Sequence, residues 1–174
     1  MTWQSFHRRG EILRTVIATA DERRDGVLPM DVEGVRETFG DETSLLAALS
    51  LRWHTRLAGH IEHELMEQPM DLEQAVVSAW HATARELAGV RAVLDHYREQ
   101  PQDEDMARVL ATSTAKERVL LASMAGLVSS HDNAAVRVGE RLEQRARASY
   151  RPVRSHRGTE APSLLGRLKA ALAA

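Results

Sequence analysis

Between Asp41 and Pro69 the residues Leu45, Leu46, Leu49, Trp53, Leu57, Ile61 and Leu65 recur at spacings of three and four, which places them on one face of a single long helix. So long an apolar stripe must be covered, and the rest of the chain supplies stripes of the same period. Phe6, Ile12, Leu13, Val16, Ile17 and Ala20 define a first helix from about Ser5 to Arg24, ended by Asp25-Gly26. Behind Pro29, Val32 and Val35 mark a short helical segment from Met30 to Thr38, closed by Phe39-Gly40. Asp41 is placed to cap the long helix, which Pro69 stops, and Asp71 to cap the next. There Leu72, Val76, Trp80, Leu87, Val90, Val93 and Leu94 run inward to about Tyr97, with a break expected at Gly89. Met106, Val109, Leu110, Leu120, Leu121, Met124 and Leu127 mark a helix from about Asp103 to Val128, and after a turn a last main helix reaches about Ser149. With aromatics at 4% and Ala, Leu, Arg and Glu abundant, no segment reads as a strand. The expected fold is all-α, with short loops making neighbouring helices antiparallel.

The absence of cysteine excludes disulfides, thiolate metal sites and cysteine nucleophiles, and fits a reducing compartment. The first residues lack the basic-then-apolar order of a signal peptide, and no apolar run approaches the ~20 residues that span a bilayer. A cytoplasmic location without stable membrane association is therefore expected. A net charge of −2 gives no global attraction for a polyanion, so any nucleic-acid contact must come from a local patch. Acidic residues crowd the interval from Asp25 to Glu42, where Arg36 is the one base, and arginines crowd the interval from Arg137 to Arg157. Residues 151–174 read as a linker rich in Arg, Ser, Gly and Pro, followed by a short amphipathic tail carrying Leu164, Leu165, Leu168 and Leu172.

Two stretches resemble the TetR family of bacterial one-component regulators. Arg9-Gly10-Glu11-Ile12-Leu13 through Ala20 is similar to the family's opening helix. Phe39-Gly40-Asp41-Glu42-Thr43-Ser44-Leu45-Leu46-Ala47-Ala48-Leu49 is similar to its passage from recognition helix into the long helix joining head to body. The stretch from Asp71 to Gln100, with Trp80 and Gly89-Val90-Arg91, also looks like the family's body. The resemblance implies a TetR-like bundle with a head over 1–40, a ligand-binding and dimerisation body over 41–150, and the linker and tail beyond. A helix-turn-helix needs a bracing helix as well as a reading helix, yet only residues 25–38 separate the first helix from Phe39. The reading segment carries Asp31, Glu33 and Glu37, which phosphates repel. The head is thus truncated and degenerate, and sequence-specific DNA binding is doubtful.

What the resemblance leaves is a dimeric regulatory protein, not an enzyme, whose body binds a small apolar ligand or a protein partner. Trp53, Leu57, Trp80, His81 and Met124, on or beside the inward stripes, are the candidate pocket residues, although such positions more often build ordinary core. If DNA contact survives, Arg8, Arg9, Arg14 and Arg36 are placed to make it, and the chain is then a functional TetR-type regulator. A third reading is a metal-dependent bundle enzyme using His60 and Glu64, four apart on one helix. The chain has neither the His-Glu-x-x-His pattern nor paired Glu-x-x-His motifs, so neither metal nor cofactor is expected. His54, His81 and His96 are isolated and carry no catalytic assignment. In the arginine-rich last helix, Arg141 and Arg145 beside Glu140 and Glu143 read as a solvated face.

Overall fold

The computed structural model describes residues 3–129 and 133–151, and the linker and amphipathic tail expected beyond Arg151 lie outside the described residues. Those residues form seven helices: α1 (Trp3–Arg23), α2 (Val35–Phe39), α3 (Glu42–Glu67), α4 (Leu72–Glu86), α5 (Ala88–Glu99), α6 (Glu104–Met124) and α7 (Asn133–Ser149). Among the described residues there is no strand, and no helix is long and apolar enough to cross a membrane. The fold is all-α, as the stripes require.

Local chemistry fixes where the helices begin. Asp41 accepts from the Ser44 amide at 2.7 Å, Asp71 from Gln74 at 3.0 Å and Asp103 from Met106 at 2.7 Å, each satisfying a first-turn donor that no helix can pair internally. The long stripe on α3 is the centre of the molecule, since Leu45, Leu46, Leu49, Trp53, Leu57 and Ile61 are fully buried. α4 and α6 cover it, α7 packs on α6 and α4, and α1 lies along α5. Val16, Ala20, Leu28, Val35 and Phe39 from the N-terminal 40 residues join the same buried cluster as the helices that follow.

Three boundaries differ from the sequence expectation, the first being the helix expected to reach Val128, which ends at Met124 ahead of Gly126 at φ +70°, so that Leu127 is exposed. The segment read as helical from Met30 is a series of turns up to Gly34, and α2 is confined to Val35–Phe39. Gly34 takes φ +80°, a left-handed value incompatible with helix continuation, and a Cβ there would stand 2.9 Å from the Ile12 side chain. The break within the fourth stripe falls at Leu87 rather than Gly89. Gly89 instead sits in the first turn of α5, where a Cβ would come within 2.1 Å of the Ala20 backbone. The same close approach lets the Asp21 carboxylate of α1 accept from the Gly89 amide at 2.6 Å, so α1 supplies the N-terminal cap that Leu87 cannot.

Gly139 plays the equivalent part between α6 and α7: a Cβ there would meet the Arg118 carbonyl oxygen at 1.8 Å. Gly89→Ala and Gly139→Ala are each expected to lower stability to urea by about 1–3 kcal/mol or more. Gly59→Ala, at an exposed point of α3 with nothing within 4 Å, is expected to raise it by about 0.5–1 kcal/mol. Equal effects at the three sites would refute the close-packing assignment.

Candidate functional site

A charged side chain on a buried helix face must find its partners inside the protein, and three such side chains meet in this bundle. Arg91 stands on the α5 stripe between Leu87 and Leu94, Glu117 on the α6 stripe between Leu110 and Leu121, and Glu143 beside Leu142 and Ala146 on α7. Their side chains are 7%, 1% and 4% exposed. Arg91 reaches Glu117 and Glu143 at 3.3 Å each and Asp95, one turn along α5, at 2.6 Å. Arg98 adds a second guanidinium to both glutamates, at 3.0 Å to Glu117 and 3.2 Å to Glu143. Arg118 and Arg147 each approach Glu143 at 3.0 Å, and Arg147 also grips Asp95 with both terminal nitrogens, at 3.0 and 2.7 Å. At the inner end the His54 imidazole of α3 lies 3.7 Å from Glu117.

The network rests on an aromatic floor. The Arg91 guanidinium carbon lies 4.9 Å from the Trp53 ring centre and 5.5 Å from that of Trp80, and Arg147 lies 5.5 Å from the Trp80 ring, distances at which a cation is attracted to the ring face. Trp53 and Trp80 meet edge to face at 6.0 Å, and Trp80 meets Tyr150 at 5.9 Å. The indole nitrogens of both tryptophans and Nε of Arg91 are buried without a hydrogen-bond partner.

Environment separates the two classes of carboxylate. Burial pushes Glu117 upward, but His54, Arg91 and Arg98 outweigh it and lower the carboxyl from 4.5 to about 2. Asp95 moves the other way, because burial outweighs Arg91 and Arg98, with the Glu143 charge adding to the rise. Outside the network, Arg56 at 2.6 Å holds Glu86 below its ordinary value against burial, with His60 at 2.9 Å assisting.

The candidate pocket residues separate. Trp53 and Leu57 are sealed in the core, Met124 is half-buried at its edge, and Trp80 is buried but borders a cleft. His81 is half-buried, its Nε2 2.8 Å from the Ala146 carbonyl and 3.3 Å from Ser149 Oγ. His60 faces Glu86 of α4 and not Glu64, whose carboxylate accepts from Gln68 at 2.9 Å. Among the described residues no group of three or more His, Cys, Asp or Glu side chains is arranged to hold a metal ion. The solvated reading of the last helix holds for Arg145, which reaches Glu73 at the surface, and is corrected for Glu143, which points into the bundle because Gly139 lets α7 close on α6.

Two clefts flank the network, and Asp95 and Arg147 line both. One, about 490 Å³, opens between α5, α6 and α7 beside Arg98 and Arg118. The other, about 430 Å³, opens between α4, α5 and the end of α7 beside Trp80 and Tyr150. Sequence reasoning missed Arg91, Glu117 and Glu143, whose signal was a charge on an apolar stripe. No protein-family model, curated protein or solved structure matches the chain.

Glu117→Gln leaves Arg91 and Arg98 to share Glu143 as their one remaining buried glutamate and is expected to cost about 3 kcal/mol at neutral pH, measured by urea denaturation. The folded-state pKa is depressed, so this stabilisation is present above about 4.5 and lost as pH falls toward about 2. The gap between native protein and variant should narrow across that window. A gap unchanged down to about pH 3 would contradict the charged role given to Glu117.

Proposed function

We propose that the protein is a TetR-like regulator, dimeric and not an enzyme, whose helical body binds a small ligand or a protein partner and whose head does not read DNA. The observation that carries this reading is how the head uses its own charges. Arg8 pairs with Glu37 at 3.3 Å, while Arg9 donates to the Thr38 carbonyl at 3.1 Å and lies 4.3 Å from the Phe39 ring centre. Arg23 grips Asp31 with both terminal nitrogens, at 2.8 and 2.6 Å, which lowers that carboxyl to about 2. Two of the four arginines placed to meet phosphates are thus turned onto α2 and its flank, and the acids Asp31 and Glu37 are held in ion pairs within the head.

Geometry adds to this. Residues 24–34 hold no helix, and α2 spans five residues, about one and a half turns. A reading helix needs a second helix to brace it across the backbone, and between α1 and α2 there is none. Arg14 and Arg36 are exposed and make no ion pair among the described residues, so a retained DNA mode would rest on them. Support for ligand binding comes from the two clefts, whose volumes lie within the range of small-molecule sites.

Titration of the purified protein into its own upstream duplex and into an unrelated duplex of equal length, at low and moderate salt, tests the head. The expected result is no binding, or weak binding equal for both and lost with salt. Preference for the upstream duplex that persists at moderate salt would overturn the reading and restore a DNA-binding regulator. Sedimentation equilibrium is expected to give the mass of two 19.4 kDa chains, and a monomer at all concentrations would remove the dimer from the proposal.

A further inference from the structure

The cleft between α4, α5 and the end of α7 differs from an apolar effector pocket in its charge. Four of its lining side chains are arginines, Arg24, Arg85, Arg91 and Arg147, and one, Asp95, is acidic. Arg91 and Arg147 are committed to Asp95 and to the buried glutamates. Arg24 donates to the Asp21 backbone carbonyl at 3.0 Å and lies within electrostatic reach of the Asp21 carboxylate without forming an ion pair, and Arg85 makes no ion pair among the described residues. Both are exposed. The cleft therefore carries two guanidiniums in excess of its own carboxylates, on α4 and just past the end of α1, facing a common space.

The rest of the lining is apolar and small. Trp80 and Tyr150 form an aromatic wall, and Ala84, Ala88 and Ala92 keep the helix surfaces low, which is what opens a volume of about 430 Å³. An apolar wall and two guanidiniums outside any ion pair, on one cleft, are complementary to a molecule with an acidic oxygen group and a short apolar body.

We propose that this cleft binds a small amphipathic organic anion, held by Arg24 and Arg85 at its charged end and by Trp80, Tyr150 and the alanines along its body. The proposal rests on the ligand-binding reading of the body and narrows it from an apolar ligand to an anionic one. Arg147 is the point of contact with the interior. An anion at the cleft competes with Asp95 for that guanidinium, and Asp95, whose burial already disfavours its charge, is the internal partner most readily displaced.

Calorimetric titration of the full chain with octanoate, octanol, phenyl phosphate and inorganic phosphate tests it. Octanoate and phenyl phosphate are expected to bind saturably, one per chain, and octanol and inorganic phosphate at least roughly tenfold more weakly. The double variant Arg24→Gln/Arg85→Gln, at exposed positions outside any ion pair among the described residues, is expected to keep the native unfolding midpoint and to weaken both organic anions by roughly tenfold or more without affecting octanol. Ala88→Phe, which fills the cleft, is expected to abolish binding of both. Octanol binding as tightly as octanoate, lost on Ala88→Phe but indifferent to the double variant, would overturn the anionic site while leaving an apolar ligand site standing. Inorganic phosphate binding as tightly as the organic anions, indifferent to Ala88→Phe, would mean an adventitious ion only and would overturn the proposal. Saturable binding by none of the four would overturn both the anionic site and the ligand-binding role of this cleft.

Discussion

Placing the Arg91 guanidinium inside the bundle is the constraint around which the other helices are arranged. Removing a guanidinium from water is costly unless carboxylates and ring faces replace the solvent, and here α5 itself, α6 and α7 bring carboxylates while α3 and α4 bring tryptophan faces. Glu117 and Glu143 are each shared by Arg91 and Arg98, so neither glutamate depends on one pair. Buried ion pairs of this kind contribute little net stability against an apolar replacement, but sliding α7 by one turn, about 5.4 Å, would leave a buried carboxylate without a partner. Leucine and valine stripes tolerate such sliding far better. The charges therefore select one register among several that the apolar stripes would accept.

Glycine makes that register reachable. Arg118 can hold Glu143 at 3.0 Å only because α6 and α7 approach closely, and the contact is closest where Gly139 meets the Arg118 backbone. The same relation holds at the other end of α5, where Gly89 admits the Ala20 backbone and places Asp21 at the first turn of the helix that carries Arg91. Asp21 and Gly139 thus act on the network without touching it, by setting where α5 and α7 stand.

Most of the fold was legible in the sequence, and its illegible parts share a physical origin. Stripes of three-and-four period and aspartate caps depend on residues close in the chain, and α1, α3, α7 and the start of α6 fall where they indicate. The turns before α2 and the break at Leu87 depend on long-range packing of Gly34 against Ile12 and of Gly89 against Ala20, which no local pattern records. The network was illegible for a different reason. A helix wheel assigns charge to solvent, and that assignment fails where Arg91 and Glu117 lie in an i,i+3 or i,i+4 row with buried leucines and Glu143 in one with the buried Gly139 and Ala146. A signal did exist: Arg91 and Asp95, like Glu143 and Arg147, are four apart on one helix, but the same spacing is ordinary on exposed faces.

The opposite shifts of Glu117 and Asp95 give the network a direction. Glu117, enclosed by His54, Arg91 and Arg98, is the last of the two to accept a proton, so the link between α5 and α6 stays charged through any ordinary acidification. Asp95 lies nearer the surface, where burial removes water without an equal gain from its arginines, and it accepts a proton first. Protonation there weakens one of the two carboxylate contacts of Arg147, which keeps Glu143 at 3.0 Å, while Arg91 keeps Glu117 and Glu143. Asp95 and Arg147 line both clefts, so a change of charge at Asp95 falls on their shared rim, while the register rests on the buried glutamates beneath it.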